Sequence, residues 1–489
     1  MRLSNAATRA ADWIQGALSS RWLLWTVIAL FAIVSSWIAV TGASGFLYDE
    51  AYHFGIVQVY THQWSPFIAQ GDHYAELGDI SRYGSYLYHY LASMPVRFVS
   101  WIGGDIRAQL VTARLFSVAC MTAALPVFWL LLREIGSSRA VSSLSVLLYT
   151  AIPIVPALAS TVNYDNLMIL LTAAFLLVSV RIYRAETISL AAIASVIALG
   201  CLGSITKYTF LPIFGGAGIV LVIALVIRVR RHKVTIAWKE RTASFWLWGV
   251  LAVIGLGLVV ERYVVNLIAY HSLQPDCRVL HSTSFCLQYG VWKRNYDLAA
   301  TAPHIPVGPG SVIAFFFRHW IPGNLSSLQY VGLFQFSSGG GASTAAVLTI
   351  GAAISVALIV ISSGWLAKKR GLAVIGAGAA LYVLSLLAVN LRDYFKTGQP
   401  VGVQGRYLLP FAPVVIALTG MAIGHIYDRL YARATIPKAL TVLLVLLCAT
   451  QGGGPITYFG FATDNWWSVT GWPLSVNHAL TWLSNKLMI

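Results

Sequence analysis

Apolar residues in this chain fall in long unbroken stretches rather than alternating ones. Stretches of about twenty residues, each enough to cross ~30 Å of hydrocarbon as a helix, lie at roughly 22–43, 112–132, 141–159, 164–180, 188–206, 208–227, 245–269, 344–366, 372–390, 407–425 and 438–455. A segment in lipid must satisfy its own backbone hydrogen bonds, so continuous apolar runs select helices over a barrel. The pattern predicts an all-α polytopic membrane protein of about eleven transmembrane helices.

Three polar regions interrupt the runs: about 44–111, about 270–343 and about 391–406. Within the first, Tyr48 to Gln63 and Tyr83 to Trp101 mix apolar and polar residues at helical spacing, which predicts helices lying in the membrane interface. Tyr86, Tyr88, His89, Tyr90 and Trp101 suit that level, because their rings are apolar and most of their tips hydrogen-bond. The aromatics of the second region, Phe315, Phe316, Phe317, Trp320 and Tyr330, read as interfacial anchors or as a cover for a cavity. Residues 1–455 read as one membrane domain carrying both loops, and 456–489 as a short extracytoplasmic segment. The first run, Trp22 to Val40, exceeds a signal-peptide core despite the small residues Gly42 to Gly45, so an uncleaved helix is expected.

Composition changes the picture in one respect. The 489 residues are 58% hydrophobic and 10% charged, with net charge +16 and mean hydropathy +0.72; a soluble domain is ruled out. The positive charge falls in short loops that all share one side: Arg2, Arg9 and Arg21; Arg133 and Arg139; Arg181 and Arg184; the cluster Arg228, Arg230, Arg231, Lys233, Lys239 and Arg241; Lys368, Lys369 and Arg370; and Arg429, Arg433 and Lys438. This sets the N-terminus in the cytoplasm, with membrane lipid headgroups as partners and no nucleic acid. Cys120, Cys201 and Cys448 lie in apolar runs. Cys277 and Cys286 share an outer loop that permits a disulfide.

The candidate chemistry collects on the opposite face. Asp49 and Glu50 follow the first helix, and His53 shares a helical face with Asp49; a general base, a metal ligand or an acidic helix start all fit. Asp72, Glu76, Asp79 and Arg82 come later in that loop. Asp165 opens the fourth helix, where Asn163 and Asp165 also read as ordinary helix-start residues. Lys207 interrupts two apolar runs and either snorkels to water or faces a cavity as a phosphate-binding charge. Glu261 and Arg262 stand inside the seventh run, where charges are functional candidates by default. Gln404-Gly405-Arg406-Tyr407-Leu408-Leu409-Pro410 presents an arginine suited to phosphate at the tenth helix.

An acidic pair after helix one, a lysine between later helices and a Gly-Arg-Tyr-Leu-Leu-Pro opening to a late helix together resemble the GT-C glycosyltransferase superfamily. The likeness is to bacterial protein O-mannosyltransferase and lipid A aminoarabinose transferase relatives. It implies an inverting transferase that moves a sugar from a polyprenyl-phosphate donor to a glycan, lipid or protein acceptor, outside a bacterial inner membrane. It also implies catalytic roles for Asp49 and Glu50, and donor-phosphate binding by Lys207, Arg406 and Tyr407. His53 and Asp165 carry over more weakly, a further family acid matches either Glu76 or Asp79, and Arg82, Glu261 and Arg262 join them as candidate substrate or metal contacts read from their charge. The sequence requires no cofactor; a divalent metal on Asp49 and His53 is an open alternative. Ser81-Arg82-Tyr83-Gly84-Ser85 stands where aminoarabinose transferases carry Lys-Pro-Pro, so their substrate does not carry over. A lipid or glycan flippase and a non-catalytic envelope-complex subunit are the competing readings.

Overall fold

A computed structural model describes residues 13–45, 49–71, 73–238, 242–303, 305–329, 341–430 and 453–487. The chain is an integral membrane protein, almost entirely helical. Among the described residues six helices are long and apolar enough to cross a bilayer: Arg21–Thr41, Ile106–Glu134, Asp165–Arg184, Tyr208–Arg230, Ala243–Tyr270 and Leu372–Thr397. Leu190–Thr206, Thr349–Ile361 and Ala412–Asp428 are apolar but shorter. Most of the expected run at 438–455, with Cys448, lies outside the described residues, as do Tyr48, Asp72 and Tyr330.

Helix starts follow local chemistry. The side chains of Asp105, Ser138, Ser189 and Thr242 each accept a hydrogen bond from a backbone N–H of the first turn that follows. The run expected as one span at 141–159 is instead broken into Arg139–Ala151 and the short buried helix Ile154–Ala159. Pro153 and Pro156 sit at the break, and a proline inside a helix removes a donor and clashes with the preceding turn. Thr187–Ser189 pairs in parallel with Thr235–Ala237. This small sheet lies at the basic end of the bundle, where the Arg228 guanidinium donates to the carbonyls of Tyr183 and Ala185.

The first loop is more deeply embedded than expected. Helix Glu50–Thr61 buries Ile56, Val57, Val59 and Tyr60, and it packs on helices Leu87–Trp101 and Ile106–Glu134. Its apolar residues therefore face protein on more than one side, which an interfacial helix resting on lipid would not require. The C-terminal helix Trp472–Leu487 returns along the first helix, with Trp37 Nε1 donating to Asn477 Oδ1 at 2.7 Å. The strand-like stretch before it bridges the chain leading to Asp49: Ala43 N donates to Trp466 O at 2.7 Å and Ser468 N to Thr41 O at 3.0 Å.

The second loop divides in two. Cys277 and Cys286 are disulfide-bonded, with Cα atoms 5.9 Å apart, and Phe285 and Cys286 pack with Ala75 of the first loop. Farther on, Pro309–Phe315, the π-helical turn Phe316–Trp320 and Ile321–Ser327 run on as one helix. Its Phe315 packs on Tyr394 at 4.8 Å and its Trp320 donates to Asn390 Oδ1 at 3.2 Å, so these two aromatics brace helix Leu372–Thr397. Phe317 alone of the four described is largely exposed.

That brace also fixes the approach to Arg406. Gly405 N donates to Ser327 Oγ at 2.5 Å, and a Cβ on Gly405 would lie 2.1 Å from the Asn324 carbonyl oxygen. Gly405→Ala should therefore lower unfolding stability by about 1–3 kcal/mol, the usual cost of overpacking. Gly424→Ala, where no atom lies within 4 Å of the new Cβ, should be neutral or slightly stabilising. Thermal unfolding of both variants in nanodiscs checks this; equal midpoints would refute the steric argument.

Candidate functional site

Four segments distant in sequence converge on one charged lattice. Asp49 immediately precedes helix Glu50–Thr61, Asp165 opens helix Asp165–Arg184, Lys207 closes helix Leu190–Thr206, and Arg406 lies in the short turn Gly405–Leu408. Arg406 Nη2 donates to Asp49 Oδ2 at 2.6 Å, and its Nε lies 3.6 Å from Asp165 Oδ2. Lys207 Nζ donates to Asp165 Oδ1 at 2.5 Å. Asp165, Lys207 and Arg406 are buried, whereas the Asp49 side chain is 33% exposed. Two acids thus alternate with two bases, and the acid at one end opens to solvent.

The local backbone explains each placement. Asp49 occupies the N-cap position with φ 67°, and it makes no capping hydrogen bond. A non-glycine residue in this left-handed region is held by its surroundings at a cost of about 1–3 kcal/mol; here the carboxylate is turned toward Arg406. At the fourth helix Asn163 Oδ1 accepts from Asp165 N at 2.9 Å. Asn163 meets the helix-start donor, leaving the Asp165 carboxylate for Lys207. Lys207 does not snorkel: its ammonium stays buried, 4.6 Å from the Tyr164 ring centroid and 4.1 Å from that of Tyr407. Such cation–π contacts hold a desolvated cation without neutralising it.

Glu50 points elsewhere. Its carboxylate accepts Arg114 Nε at 2.8 Å and Arg114 Nη2 at 2.7 Å, and also the backbone N–H groups of Val162 and Gly45. The remaining Arg114 donors reach the carbonyls of Ala39, Gly42 and Ala43. Both side chains are about 98% buried. Arg114 escaped the sequence reading, although an arginine two residues into an apolar run was the available signal. Glu50 and Asp49 are adjacent yet diverge, so the acidic pair does not act on one point.

The other candidates fall into separate groups. His53 Nδ1 and His89 Nε2 lie 2.8 Å apart, with His53 edge-on to Tyr164 at 4.5 Å. Burial, then His89, Arg406 and Lys207, push the His53 imidazole well below its ordinary value; burial takes His89 down to about 3. Arg82, Glu261 and Arg262 form a second cluster. Arg82 Nη1 meets Glu261 Oε1 at 2.8 Å, Arg262 Nε lies 3.3 Å from Glu261 Oε2, and Arg262 donates to the Ser81 carbonyl. Glu261 and Arg262 thus pair with each other within the π-helical turn Val260–Val264, whose angular spacing differs from that of an α-helix. This cluster clips the first loop to helix Ala243–Tyr270. Asp79 accepts from Ser81 and approaches His281 Nε2 at 3.2 Å, while Glu76 is exposed.

Among the described residues no three His, Cys, Asp or Glu side chains converge as a metal site. Asp49 is engaged by Arg406 and His53 by His89, so the pair does not present a ready ligand set.

Two outcomes are expected. Glu50→Gln, which leaves Arg114 buried beside a neutral partner, should cost about 3–5 kcal/mol of stability and lower the folded yield; an unchanged unfolding midpoint would contradict the role given to this pair. The histidine pair should make stability depend on pH. Its folded form prefers neutral imidazoles, so its contribution is present above the unperturbed value of 6.5 and is lost as pH falls below it. The unfolding midpoint in nanodiscs should drop between pH 7.5 and 5, and the drop should shrink in a His53→Gln/His89→Gln double variant.

No family model matches the chain, and no curated protein matches it. Among solved structures it is similar to ArnT from Cupriavidus metallidurans in the apo state, with 13% identity, 96% of this chain and 70% of that one covered, and a TM-score of 0.48. It is also similar to the same protein bound to undecaprenyl phosphate, at 14% identity, with 95% and 70% covered and a TM-score of 0.46. A third is the archaeal oligosaccharyltransferase AglB from Archaeoglobus fulgidus in complex with an inhibitory peptide and a dolichol-phosphate, at 11% identity and a TM-score of 0.47; the match covers 94% of this chain but 59% of that one.

Proposed function

We propose that this protein is a membrane glycosyltransferase that moves a sugar from a polyprenyl-phosphate donor to an acceptor hydroxyl by a single inverting displacement. The observation that carries the reading is the convergence of Asp49, Arg406, Asp165 and Lys207. Their arrangement matches the demands of the reaction: a solvent-reachable carboxylate at one end, and two cations held by a buried acid between them.

The mechanism follows from the charges. Without donor, Asp49 neutralises Arg406. A donor phosphate arriving at Arg406 and Lys207 competes for that guanidinium and frees the Asp49 carboxylate. The acceptor oxygen then attacks the anomeric carbon as its proton passes to Asp49. The bond from that carbon to the phosphate oxygen breaks, and its electron pair leaves with the polyprenyl phosphate. The phosphate gains one negative charge, which the two cations stabilise from positions already set by Asp165 and the tyrosine rings. Arg406 suits this role, because a guanidinium stays protonated and its planar fork matches two phosphate oxygens. Glu50 acts in this scheme by positioning: with Arg114 it fixes the backbone on both sides of Asp49.

The proposed topology has eleven crossings, a cytoplasmic N-terminus and the site at the outer face of a bacterial inner membrane. Helix Leu190–Thr206 supports that polarity, with Lys207 at one end and the small sheet at the other. Seventeen residues span about 25 Å, which separates the basic end from the site by most of a bilayer.

Asp49→Asn is the direct test, because asparagine tolerates the left-handed backbone of this position while losing the base. Transfer of labelled sugar from polyprenyl-phosphate-sugar by protein in nanodiscs should fall about 10²- to 10⁴-fold, with donor affinity unchanged or raised, because the carboxylate that competes for Arg406 is gone. Full activity in this variant would sink the assignment.

A further inference from the structure

The turn that leads into Asp165 is held residue by residue. Val162 N donates to Glu50 Oε1 at 3.2 Å, Asn163 N to Tyr88 Oη at 3.1 Å, and Asp165 N to Asn163 Oδ1 at 2.9 Å. Tyr164, inside this turn, is held by its ring. The Lys207 ammonium lies 4.6 Å from the ring centroid, and the His53 ring meets Tyr164 at 72° with centroids 4.5 Å apart. His89 lies edge-on to the same tyrosine at 5.9 Å.

His53 and His89 have no part in the scheme above. They come from different helices, Glu50–Thr61 and Leu87–Trp101, and are 2% and 0% exposed. One hydrogen bond joins them, His53 Nδ1 and His89 Nε2 lying 2.8 Å apart, so each ring fixes the orientation of the other. Plain packing would be met by aliphatic side chains, with no ring nitrogen to desolvate. An imidazole pair offers two things that aliphatic groups do not. A flat ring set steeply against Tyr164 is a favoured aromatic contact that fixes the tilt of the tyrosine. That tilt matters, because a cation is attracted to the face of a ring and not to its edge. The pair also stays neutral beside two cations, since burial, then His89, Arg406 and Lys207, hold His53 well below its ordinary value.

Resting on the glycosyltransferase reading, we propose that His53, locked by His89, is a positioning residue for the donor phosphate: it holds the Tyr164 ring against the Lys207 ammonium and so sets where that cation meets the phosphate. His53 N also donates to Asp49 O at 2.9 Å, so the residue that braces the cation is tied to the backbone of the base. Its effect on donor affinity runs through Tyr164.

The test measures binding of radiolabelled polyprenyl phosphate to the full chain in nanodiscs at neutral pH, with transfer kinetics and the unfolding midpoint recorded beside it. Tyr407 and Asp165 also hold the ammonium, so partial losses are expected. Tyr164→Leu should weaken binding about threefold to tenfold, and Tyr164→Phe, which keeps the ring and loses the hydroxyl, should not. His53→Leu should weaken it by a similar factor, and should add little in the Tyr164→Leu background, as residues acting through one contact do. At saturating donor kcat should stay within about twofold of wild type, so that the loss appears in KM. If His53→Leu fails to fold, His53→Gln replaces it, lacking the ring but able to bond His89. Full additivity of the two losses, unchanged affinity in a folded His53 variant, or equal losses in Tyr164→Phe and Tyr164→Leu would each overturn the inference and leave the transferase reading standing. The expected pattern without transfer from any polyprenyl-phosphate sugar would support the brace at a phosphate site and overturn the transferase reading. Failure of the wild-type protein to bind polyprenyl phosphate would overturn both.

Discussion

The site depends on one buried ion pair that takes no part in the proposed chemistry. Arg114 spends all five of its N–H donors within helix ends and the stretch 39–50: two on Glu50, three on the carbonyls of Ala39, Gly42 and Ala43. Glu50 in turn accepts backbone donors from Gly45 and Val162. The pair thus joins the end of the first helix, the start of helix Glu50–Thr61, the long helix Ile106–Glu134 and the turn before Asp165. Those joined segments include the backbone on both sides of Asp49 and the approach to Asp165. A guanidinium in a dry interior is costly unless every donor is met, so the geometry of these segments is tightly determined. That determination is what holds Asp49 in a left-handed conformation rather than letting it relax into an ordinary cap.

With that frame fixed, the four-residue lattice can be both neutral and reactive. Asp49 and Asp165 balance Lys207 and Arg406, which makes burial affordable without a bound anion. The balance is asymmetric: Asp165 lies between the cations with little access to water, while Asp49 lies at the open end and is partly exposed. An incoming phosphate can replace Asp49 more readily than Asp165. In the proposed scheme Asp49 is therefore the acid displaced, and Asp165 continues to hold the cations in place. A cluster with both acids buried would resist substrate; one with neither would leave two uncompensated cations in a low-dielectric setting.

Much of this lattice was legible in the sequence, because charge in an apolar context is rare and therefore informative. Asp49, Lys207 and Arg406 stood out for that reason, whereas the loop shared by Cys277 and Cys286 permitted a disulfide without deciding it. The orientation of side chains was not legible. Glu50 resembled Asp49 in every sequence property, and only its partner 64 residues away separates a structural acid from an exposed one. Asp165 read as a helix-start residue until Asn163 proved to supply the cap. His89 and the tyrosines read as headgroup-level aromatics, since composition places such residues at the right depth but does not say whether they face lipid or one another. The broken span at Pro153 was readable from proline chemistry, but the apolar run around it masked the signal.

The second loop shows how a long polar connection can serve two ends of one site. Its disulfide-bonded part carries Phe285 and Cys286 onto Ala75 and places Tyr289 against Gly78 and Tyr52, so it encloses the side of the cleft nearest Asp49. Its helical part, from Pro309 to Ser327, presses on the turn at Gly405 and holds Arg406 from behind. A cover built from Phe315 to Trp320 would have left the arginine turn unsupported, because Ser327 and Asn324 belong to the same helix. The two halves of one loop thus flank opposite ends of the lattice, and in the proposed scheme a displacement of the helical half would alter the spacing between Arg406 and Asp49.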